Sequence, residues 1–121
     1  MPYLDHLTIA VRDLVQSRTW YVETLDLKVE FEVPTRKASA LQDSGGVTLF
    51  LEQRPAEECT PSCVLTFRVD AVDSTYERLV ARKVRFERHP QKLFWGYGAE
   101  LRDPDGYLIR LWDEVSMRDK G

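Results

Sequence analysis

The chain repeats one turn-and-strand pattern at a distance of sixty positions, and this repeat constrains the fold more than any other feature of the sequence. One copy begins with Asp43 and Gly46 and the other with Asp103 and Gly106, and each continues into a run of alternating residues. An aspartate at the first position of a turn accepts backbone hydrogen bonds, and Pro104 has its φ preset for the second position of a type I turn. The pattern therefore predicts a tight turn that leads into a strand, twice.

A second segment recurs in the same order along the chain. Residues 6–11 match residues 64–69 at a displacement of 58 positions, and a candidate helix follows each copy. The two recurring segments together predict that the chain contains two copies of one structural module. At 121 residues and 43% hydrophobic composition, the chain has the size of one compact domain. We expect a first module over about residues 1–54, a linker over 55–61 and a second module over about 62–116.

Hydrophobic periodicity predicts the elements of the first module. Alternation predicts a half-buried strand over residues 5–11, and Asp13 is a candidate N-cap for a helix that ends near Leu25. Further alternation, broken at Pro34, predicts three more strands. They cover residues 28–33, 37–42 and 47–52. The order of the first module is therefore β-α-β-β-β.

The second module is predicted to repeat this order. Residues 62–69 have the pattern of a strand, and Asp70 or Asp73 can cap the helix that follows. The remaining segments are a strand marked by Val84 and Phe86, a loop at 89–92, a broken strand over 94–102, the strand after the Asp103 turn, and a charged, frayed tail at 116–121.

Charge and hydropathy exclude two classes of partner. A net charge of −3 and a pI near 5.4 leave no basic stripe for nucleic acid or for an anionic membrane surface. No apolar run approaches the roughly 20 residues that span a bilayer, and the first residues lack the basic start of a signal peptide. We therefore expect a cytoplasmic protein with neither nucleic acid nor membrane as a partner.

The two cysteines, Cys59 and Cys63, lie three residues apart in the segment that joins the modules. This spacing without a neighbouring histidine is a weak zinc signal, and a reducing cytosol disfavours a disulfide. We expect ordinary reduced thiols. The alternative is a redox pair, which thiol labelling with and without reductant would reveal.

Several features together resemble the vicinal oxygen chelate superfamily, which includes glyoxalase I, bleomycin-resistance proteins and extradiol dioxygenases. They are the doubled β-α-β-β-β order, His6 at the head of the first strand, the Trp95-Gly96 pair, and the Asp-Pro-Asp-Gly turn before an alternating strand. The resemblance covers nearly the whole chain. It implies an α+β fold of two tandem βαβββ modules, in which each module forms a curled half-cup sheet with its helix on the outer face. It also implies a cavity for a divalent metal or an organic ligand, and a homodimer.

The resemblance further implies where a metal would bind. His6 fits the ligand position at the head of the first strand. Phe50 stands where a glyoxalase has a carboxylate, Arg110 where metal-binding members have a glutamate, and Val64 where a second histidine is common. Divalent ions need about three or more nitrogen or oxygen donors, and a guanidinium cannot donate an electron pair. We therefore predict no metal cofactor.

A shifted metal site is the alternative. Glu52 lies two residues beyond Phe50 on the same strand face, so His6 and Glu52 could hold a divalent metal with a further ligand from the second module. His89 is a candidate for that ligand, but its position before Pro90 favours a turn. A metal shared across a dimer interface is also compatible with the sequence.

The residues predicted to face the cavity mostly have aromatic or cationic side chains. An aromatic ring stacks on a planar ligand, and a partly desolvated arginine presents a fork suited to carboxylate or phosphate. The alternative is that Arg110 pairs with Glu52 or Glu100 and that the rings fill a core or an interface. The predicted ligand-binding residues are His6, Phe50, Glu52, Arg68, Trp95, Arg110 and Trp112.

Two functions compete. The first is a metal-free binding module resembling bleomycin-resistance proteins, with an aromatic or anionic organic ligand, since Arg68 and Arg110 disfavour a cationic drug. The second is an enzyme: a metal-dependent lyase, isomerase or dioxygenase with the shifted site, or a metal-free catalyst with His6 or Glu52 as general base. We favour the binding module. Loss of turnover with binding retained in His6→Ala or Glu52→Ala would indicate the enzyme.

Overall fold

The computed structural model describes residues 2–121. The chain divides into two compact units, one that ends at Pro61 and one that covers Ser62–Gly121. Each unit contains one four-stranded sheet, which confirms the predicted α+β fold of two tandem βαβββ modules. Within the described residues, no helix has the length and apolar character needed to cross a membrane.

The first unit contains four strands and one α-helix. They are β1 (His6–Val11), α1 (Leu14–Leu25), β2 (Lys28–Val33), β3 (Ala38–Gln42) and β4 (Thr48–Gln53). The strand order is β1-β4-β3-β2, with β1 parallel to β4 and the other neighbours antiparallel. Asp13 caps α1 as predicted, because its Oδ1 atom accepts the backbone N–H of Gln16 at 3.0 Å.

The second unit repeats this arrangement and adds a helix. Its elements are β5 (Val64–Arg68), α2 (Val72–Ala81), β6 (Phe86–Leu93), β7 (Gly96–Arg102), β8 (Leu108–Trp112) and α3 (Glu114–Lys120). The strand order β5-β8-β7-β6 matches that of the first unit, and β5 is again the parallel partner, here of β8.

The strand registers also repeat. In the first unit His6 lies opposite Thr48, and in the second Val64 lies opposite Leu108. These pairs preserve both displacements predicted from the sequence, 58 positions for the first strand of each module and 60 for the last. Phe50 and Arg110 therefore occupy corresponding positions in the two sheets.

The turns that begin β4 and β8 share one hydrogen-bonding pattern. In each, the Oδ1 atom of the turn aspartate, Asp43 or Asp103, accepts the backbone N–H groups two and four residues later at 2.8–3.2 Å. Gly46 and Gly106 close the turns with φ of +88° and +93°, in the left-handed region that glycine adopts without strain. The predicted repeat of the turn is confirmed.

One face of each sheet is buried with its helix and forms the core. In the first unit α1 contacts β3 and β4, and its Tyr21 is fully buried. In the second unit α2 contacts β6 and β7, and its Leu79 is fully buried. The buried strand residues include Ile9, Val11, Leu49, Leu51, Leu65, Leu101, Ile109 and Leu111. The opposite face of each sheet carries the predicted site residues.

The predicted cap of α2 is wrong. Ala71 is the N-cap residue and makes no side-chain cap, and neither Asp70 nor Asp73 takes this role. The carboxylate of Asp113 caps the helix instead, since its Oδ2 atom accepts the backbone N–H of Val72 at 2.7 Å. Because the cap comes from a distant part of the chain, no local pattern identifies it.

The predicted loop at residues 89–92 is also wrong, because this segment belongs to β6. The pairing with β7 shifts between Arg88 and Gln91, which places His89 and Pro90 in a bulge. β6 is an edge strand of its sheet. Proline has no backbone N–H to donate, and an edge strand tolerates it because one side of the strand has no neighbouring strand to pair with.

The predicted frayed tail is a helix. Asp113 caps α3 through the backbone N–H of Ser116 at 2.7 Å. The Met117 side chain packs on Gly96, where a Cβ atom would collide with its sulfur, and the backbone N–H of Tyr97 points to that sulfur at 3.4 Å. Docking on β7, rather than local propensity, therefore orders the tail.

Cys59 is buried and Cys63 is exposed, and the two do not form a disulfide with each other. The Cys59 thiol lies 3.4 Å from the carbonyl oxygen of Pro55.

Candidate functional site

A row of four side chains crosses the face of the first sheet that is opposite the core. The strand registers align Thr8, Phe50, Ala40 and Phe31 on β1, β4, β3 and β2. Regular alternation would place Phe31 on the same face as Val29. A bulge between these two residues turns Phe31 to the opposite face.

The aromatic rings on this face contact one another. The ring of Phe50 lies 5.3 Å from that of His6 and 5.6 Å from that of Phe31, between ring centroids. These distances fall within the range of attractive aromatic pairs. The Nδ1 atom of His6 lies 2.9 Å from a carboxylate oxygen of Asp5, and Phe31 is 46% exposed. The first unit thus presents an accessible aromatic surface.

Glu52 lies two residues beyond Phe50 on the same face and is bound by two arginines. Its Oε2 atom accepts a hydrogen bond from Arg36 at 2.6 Å, and its Oε1 atom accepts one from Arg54 at 2.9 Å. The hydrogen bonds from Arg36 and Arg54 lower the pKa of Glu52, although burial of the carboxylate opposes them. Glu52 is therefore an ionised carboxylate with both oxygens engaged.

The corresponding row of the second sheet is charged. The registers align Thr66, Arg110, Glu100 and Arg88 on β5, β8, β7 and β6. A bulge between Phe86 and Arg88 recurs at the position of the bulge in β2 and brings Arg88 onto this face. Corresponding positions thus carry aromatic side chains in one module, at Phe50 and Phe31, and charged side chains in the other, at Arg110 and Arg88.

Glu100 is the centre of this charged row. Its side chain is only 9% exposed. The Oε1 atom lies 3.3 Å from Nε of Arg88. The Oε2 atom accepts two hydrogen bonds, from Nε of Arg110 at 3.0 Å and from the indole Nε1 of Trp95 at 3.1 Å. The predicted alternative that Arg110 pairs with Glu100 is therefore realised.

Two rings flank the guanidinium of Arg110. Its Cζ atom lies 5.2 Å from the ring centroid of Phe94 and 5.3 Å from that of Trp95, both within cation–π range. These two residues form the tip of the hairpin between β6 and β7. Phe94 is 91% exposed, whereas the Trp95 ring lies against Gly98. Among the described residues, none accepts a hydrogen bond from the two terminal nitrogens of Arg110.

Arg68 and Trp112 complete the predicted set. They are register partners on β5 and β8, on the same face as Arg110. Arg68 is well exposed and its guanidinium lies 3.8 Å from the carboxylate of Glu114. Trp112 is half-buried.

The alternative of a shifted metal site with His6 and Glu52 can be compared with the donors that the structure groups together. In residues 2–121, no three histidine, cysteine, aspartate or glutamate side chains are grouped closely enough to hold a metal ion. His6 and Glu52 are register partners of Thr48 and Ala10, so four residues, about 13 Å of strand, separate them along the sheet. A cation at Glu52 would have to displace two guanidinium groups. The residues of neither unit fit a metal centre.

His89 is exposed, and its Nδ1 atom contacts the carbonyl oxygen of Pro90 at 2.9 Å.

Sequence reasoning missed several residues of these two faces. Phe31 and Arg88 were missed because bulges place them, and a bulge leaves no mark on simple alternation. Phe94 was missed although it stands beside Trp95, and two adjacent aromatic residues before a glycine could have indicated an exposed hairpin tip. Arg36 lies 16 positions before Glu52, so only the fold brings it there, whereas Arg54 follows Glu52 by two residues and could have been recognised as a neighbour.

Comparison with known families gives one match over most of the chain. The family model described as the Glyoxalase/Bleomycin resistance protein/Dioxygenase superfamily matches residues 3–111. No curated protein matches the chain significantly.

Solved structures share the fold. An integron cassette protein from the mobile metagenome of the Halifax Harbour sewage outfall has a TM-score of 0.77 at 20% identity, covering 92% of this chain and 97% of its own. TnmS3, an antibiotic binding protein from Streptomyces sp. CB03234, has a TM-score of 0.77 at 26% identity, covering 93% and 96%. Lactoylglutathione lyase from Agrobacterium tumefaciens has a TM-score of 0.74 at 17% identity, covering 92% of each chain.

Proposed function

The chain belongs to the glyoxalase/bleomycin resistance protein/dioxygenase superfamily, and from this premise we propose that it is a metal-free protein that binds a small organic molecule with a planar ring and an anionic group. The proposal concerns the face of the second sheet that carries Arg110, Trp95 and Phe94. The aromatic surface around Phe50 in the first unit is a further contact region for planar ligands.

One observation carries the proposal: Arg110 is held by Nε and by two rings, while no residue of 2–121 accepts a hydrogen bond from its terminal nitrogens. Two parallel N–H groups of a fixed guanidinium match the two oxygens of a carboxylate or a similar oxyanion. The side chain of Arg110 is 21% exposed, so its charge is only partly screened by water.

The local charge favours an anion over a cation. The side chain of Arg110 is 21% exposed whereas that of its partner Glu100 is only 9% exposed, so the charge that a ligand meets at this point is positive. The exposed ring of Phe94 offers apolar contact beside this charge. A ligand that joins a ring to an oxyanion would use both features.

The similarity to TnmS3 supports binding rather than catalysis, since that protein of the same fold is an antibiotic binding protein. The alternative of a metal-dependent lyase, isomerase or dioxygenase with His6 and Glu52 is less well supported, because Arg36 and Arg54 already occupy the Glu52 carboxylate. The homodimer expected from the family resemblance and the cytoplasmic location expected from the sequence belong to the same proposal, and sedimentation equilibrium of the purified protein tests the dimer.

The proposal is tested by titrating the ¹⁵N-labelled protein with a panel of aromatic carboxylates and sulfonates, including 2-naphthoate. The chain has three tryptophans, and a Trp95→Phe variant assigns the indole signal of Trp95. At about 1 mM ligand, even a complex worth about −4 kcal/mol is half-formed. We expect the Trp95 indole signal to shift with 2-naphthoate and to shift less with the uncharged 2-naphthamide.

Arg110→Ala should weaken the binding of 2-naphthoate about tenfold or more, which corresponds to about 1.4 kcal/mol. The matched control is Arg102→Ala, which removes an arginine of the same unit that is paired with Glu87 at 3.1 Å and does not flank a described ring. The control should bind like the wild type. No shift with any member of the panel, or equal losses in both variants, would contradict the proposal.

A further inference from the structure

We propose that Glu100 is the positioning residue of this site, which orients Arg110 and Trp95 so that the face of the second sheet accepts an oxyanion attached to a ring. This inference rests on the proposed function. It reverses the simplest expectation for a buried carboxylate, which is that its negative charge repels an anionic ligand.

The two carboxylate oxygens of Glu100 contact different partners. Oε2 binds both groups that would touch the ligand, Nε of Arg110 at 3.0 Å and the indole N–H of Trp95 at 3.1 Å. Oε1 lies 3.3 Å from Nε of Arg88. Because this bond uses the Nε–H of Arg110, the edge of the guanidinium that joins its two terminal nitrogens is left open to a ligand. The carboxylate therefore sets the direction in which Arg110 presents its fork.

The same oxygen fixes the indole ring. Trp95 reaches Glu100 only because its ring lies across Gly98, where a Cβ atom would collide with the ring. From that position the ring also lies 5.3 Å from the guanidinium of Arg110. One buried oxygen thus fixes both a cation and a ring, and the cation–π contact holds them together.

Positioning and charge predict different affinities for an anionic ligand in two variants. Glu100→Gln removes a negative charge, so an effect of charge alone would tighten the binding of an anion, whereas loss of orientation would weaken it. Arg88→Gln removes a positive charge, so charge alone would weaken binding. The positioning role predicts little change there, because Oε2 still holds Arg110 and Trp95.

The experiment measures the affinity of the wild type and the variants for 2-naphthoate and 2-naphthamide through the Trp95 indole signal. We expect Glu100→Gln to bind 2-naphthoate about tenfold more weakly, as for loss of a hydrogen bond to a charged group, with a smaller change for 2-naphthamide. Arg88→Gln should stay within about twofold of the wild type. The matched control is Glu87→Gln, which removes an exposed carboxylate paired with Arg102 and should also stay within about twofold.

The outcomes separate the two proposals. If the wild type binds 2-naphthoate and Glu100→Gln binds it equally or more tightly, the positioning role is overturned and the proposed function stands. If the wild type binds no member of the panel, both are overturned. Should Glu100→Gln not fold, Arg88→Gln still decides, because the Arg88 side chain is 56% exposed and a clear loss of anion affinity in this variant would assign the effect to charge.

Discussion

The carboxylate of Asp113 caps α2 from 41 positions further along the chain, since its Oδ2 atom accepts the backbone N–H of Val72 at 2.7 Å. Its Oδ1 atom accepts the N–H of Ser116 at the start of α3, also at 2.7 Å. The residue is only 2% exposed. One buried side chain therefore caps two helices.

Asp113→Ala should lower the free energy of unfolding by about 2 to 4 kcal/mol, because each lost cap costs about 1 to 2 kcal/mol. Urea unfolding followed by far-UV circular dichroism measures this. Asp13→Ala, which removes the single cap of α1, should cost about 1 kcal/mol. The control Asp70→Ala alters an exposed residue beside α2 and should stay within about 0.5 kcal/mol. A loss in the control equal to that in Asp113→Ala would contradict the assignment of the cap.

Acid should destabilise the protein partly through Asp113 and Glu52. Burial opposes ionisation of Asp113, but hydrogen bonds from the backbone of Ser116 and Val72 outweigh it and lower the pKa. The hydrogen bond from Arg36, followed by that from Arg54, lowers the pKa of Glu52. Carboxylates whose pKa is lower in the folded state stabilise it above the unfolded pKa of about 4. This stabilisation is lost as the pH falls through the folded pKa.

The free energy of unfolding should therefore decrease as the pH falls below about 5. Asp113→Asn should show a shallower decrease than the wild type over this range, because the variant has no proton to take up at that position. Parallel curves for the two proteins would show that Asp113 does not contribute.

The two turn aspartates should differ in their contribution to stability although the Oδ1 atom of each accepts the corresponding pair of backbone N–H groups. Asp103 is 5% exposed, whereas water reaches Asp43 more easily. Asp103→Ala should lower the free energy of unfolding by about 2 kcal/mol or more, and Asp43→Ala should lower it by about 1 kcal/mol. The reason is that losing the acceptor of a backbone N–H group destabilises the fold more where water cannot take the acceptor's place. Thermal unfolding of both variants measures the difference, and equal costs would be the contrary result.

The contact between Phe31 and Phe50 depends on the bulge in β2. A double-mutant cycle with Phe31→Ala and Phe50→Ala should give a coupling energy of about 1 kcal/mol, as for an edge-to-face pair. Val29 lies on the other face, so the control cycle of Val29→Ala with Phe50→Ala should be additive within about 0.5 kcal/mol. Stronger coupling in the control would mean that the bulge is misplaced.

Purified, untagged protein should hold less than about one-tenth of an equivalent of metal after incubation with Mn, Fe, Ni, Co or Zn and desalting. The reason is that Arg36 and Arg54 engage the Glu52 carboxylate and that His6 lies well along the strand from it. Elemental analysis measures the content. Near-stoichiometric metal that His6→Ala abolishes would restore the metal-dependent alternative.

The strands and turns could be predicted because their signals are local. The bounds of β2, Lys28–Val33, agree with the periodicity, and the Asp43 and Asp103 turns form the bonds that their residues favour. The helix α3 and the segment around Pro90 could not be predicted in this way. The first depends on Met117 docking against Gly96, and the second on its place in an edge strand.

The candidate site was only partly predictable. His6 and Phe50 on one sheet, and Trp95 and Arg110 on the other, were predicted from the sequence and do contact each other. Whether they and the remaining predicted residues bind a ligand stays a prediction. What the sequence did not predict was that the carboxylate of Glu52 is bound by two arginines.

The sequence by itself determined that one module occurs twice, at displacements of 58 and 60 positions, because turn chemistry and alternation act between residues only a few positions apart. Only the tertiary structure decided which side chains meet on the exposed faces. Bulges at matching positions of β2 and β6 bring Phe31 to an aromatic ring in one module and Arg88 to a carboxylate in the other. Those contacts depend on strand pairing between distant segments. The bulges in this pairing place Phe31 and Arg88 on the face opposite to the one that regular alternation of side chains predicts.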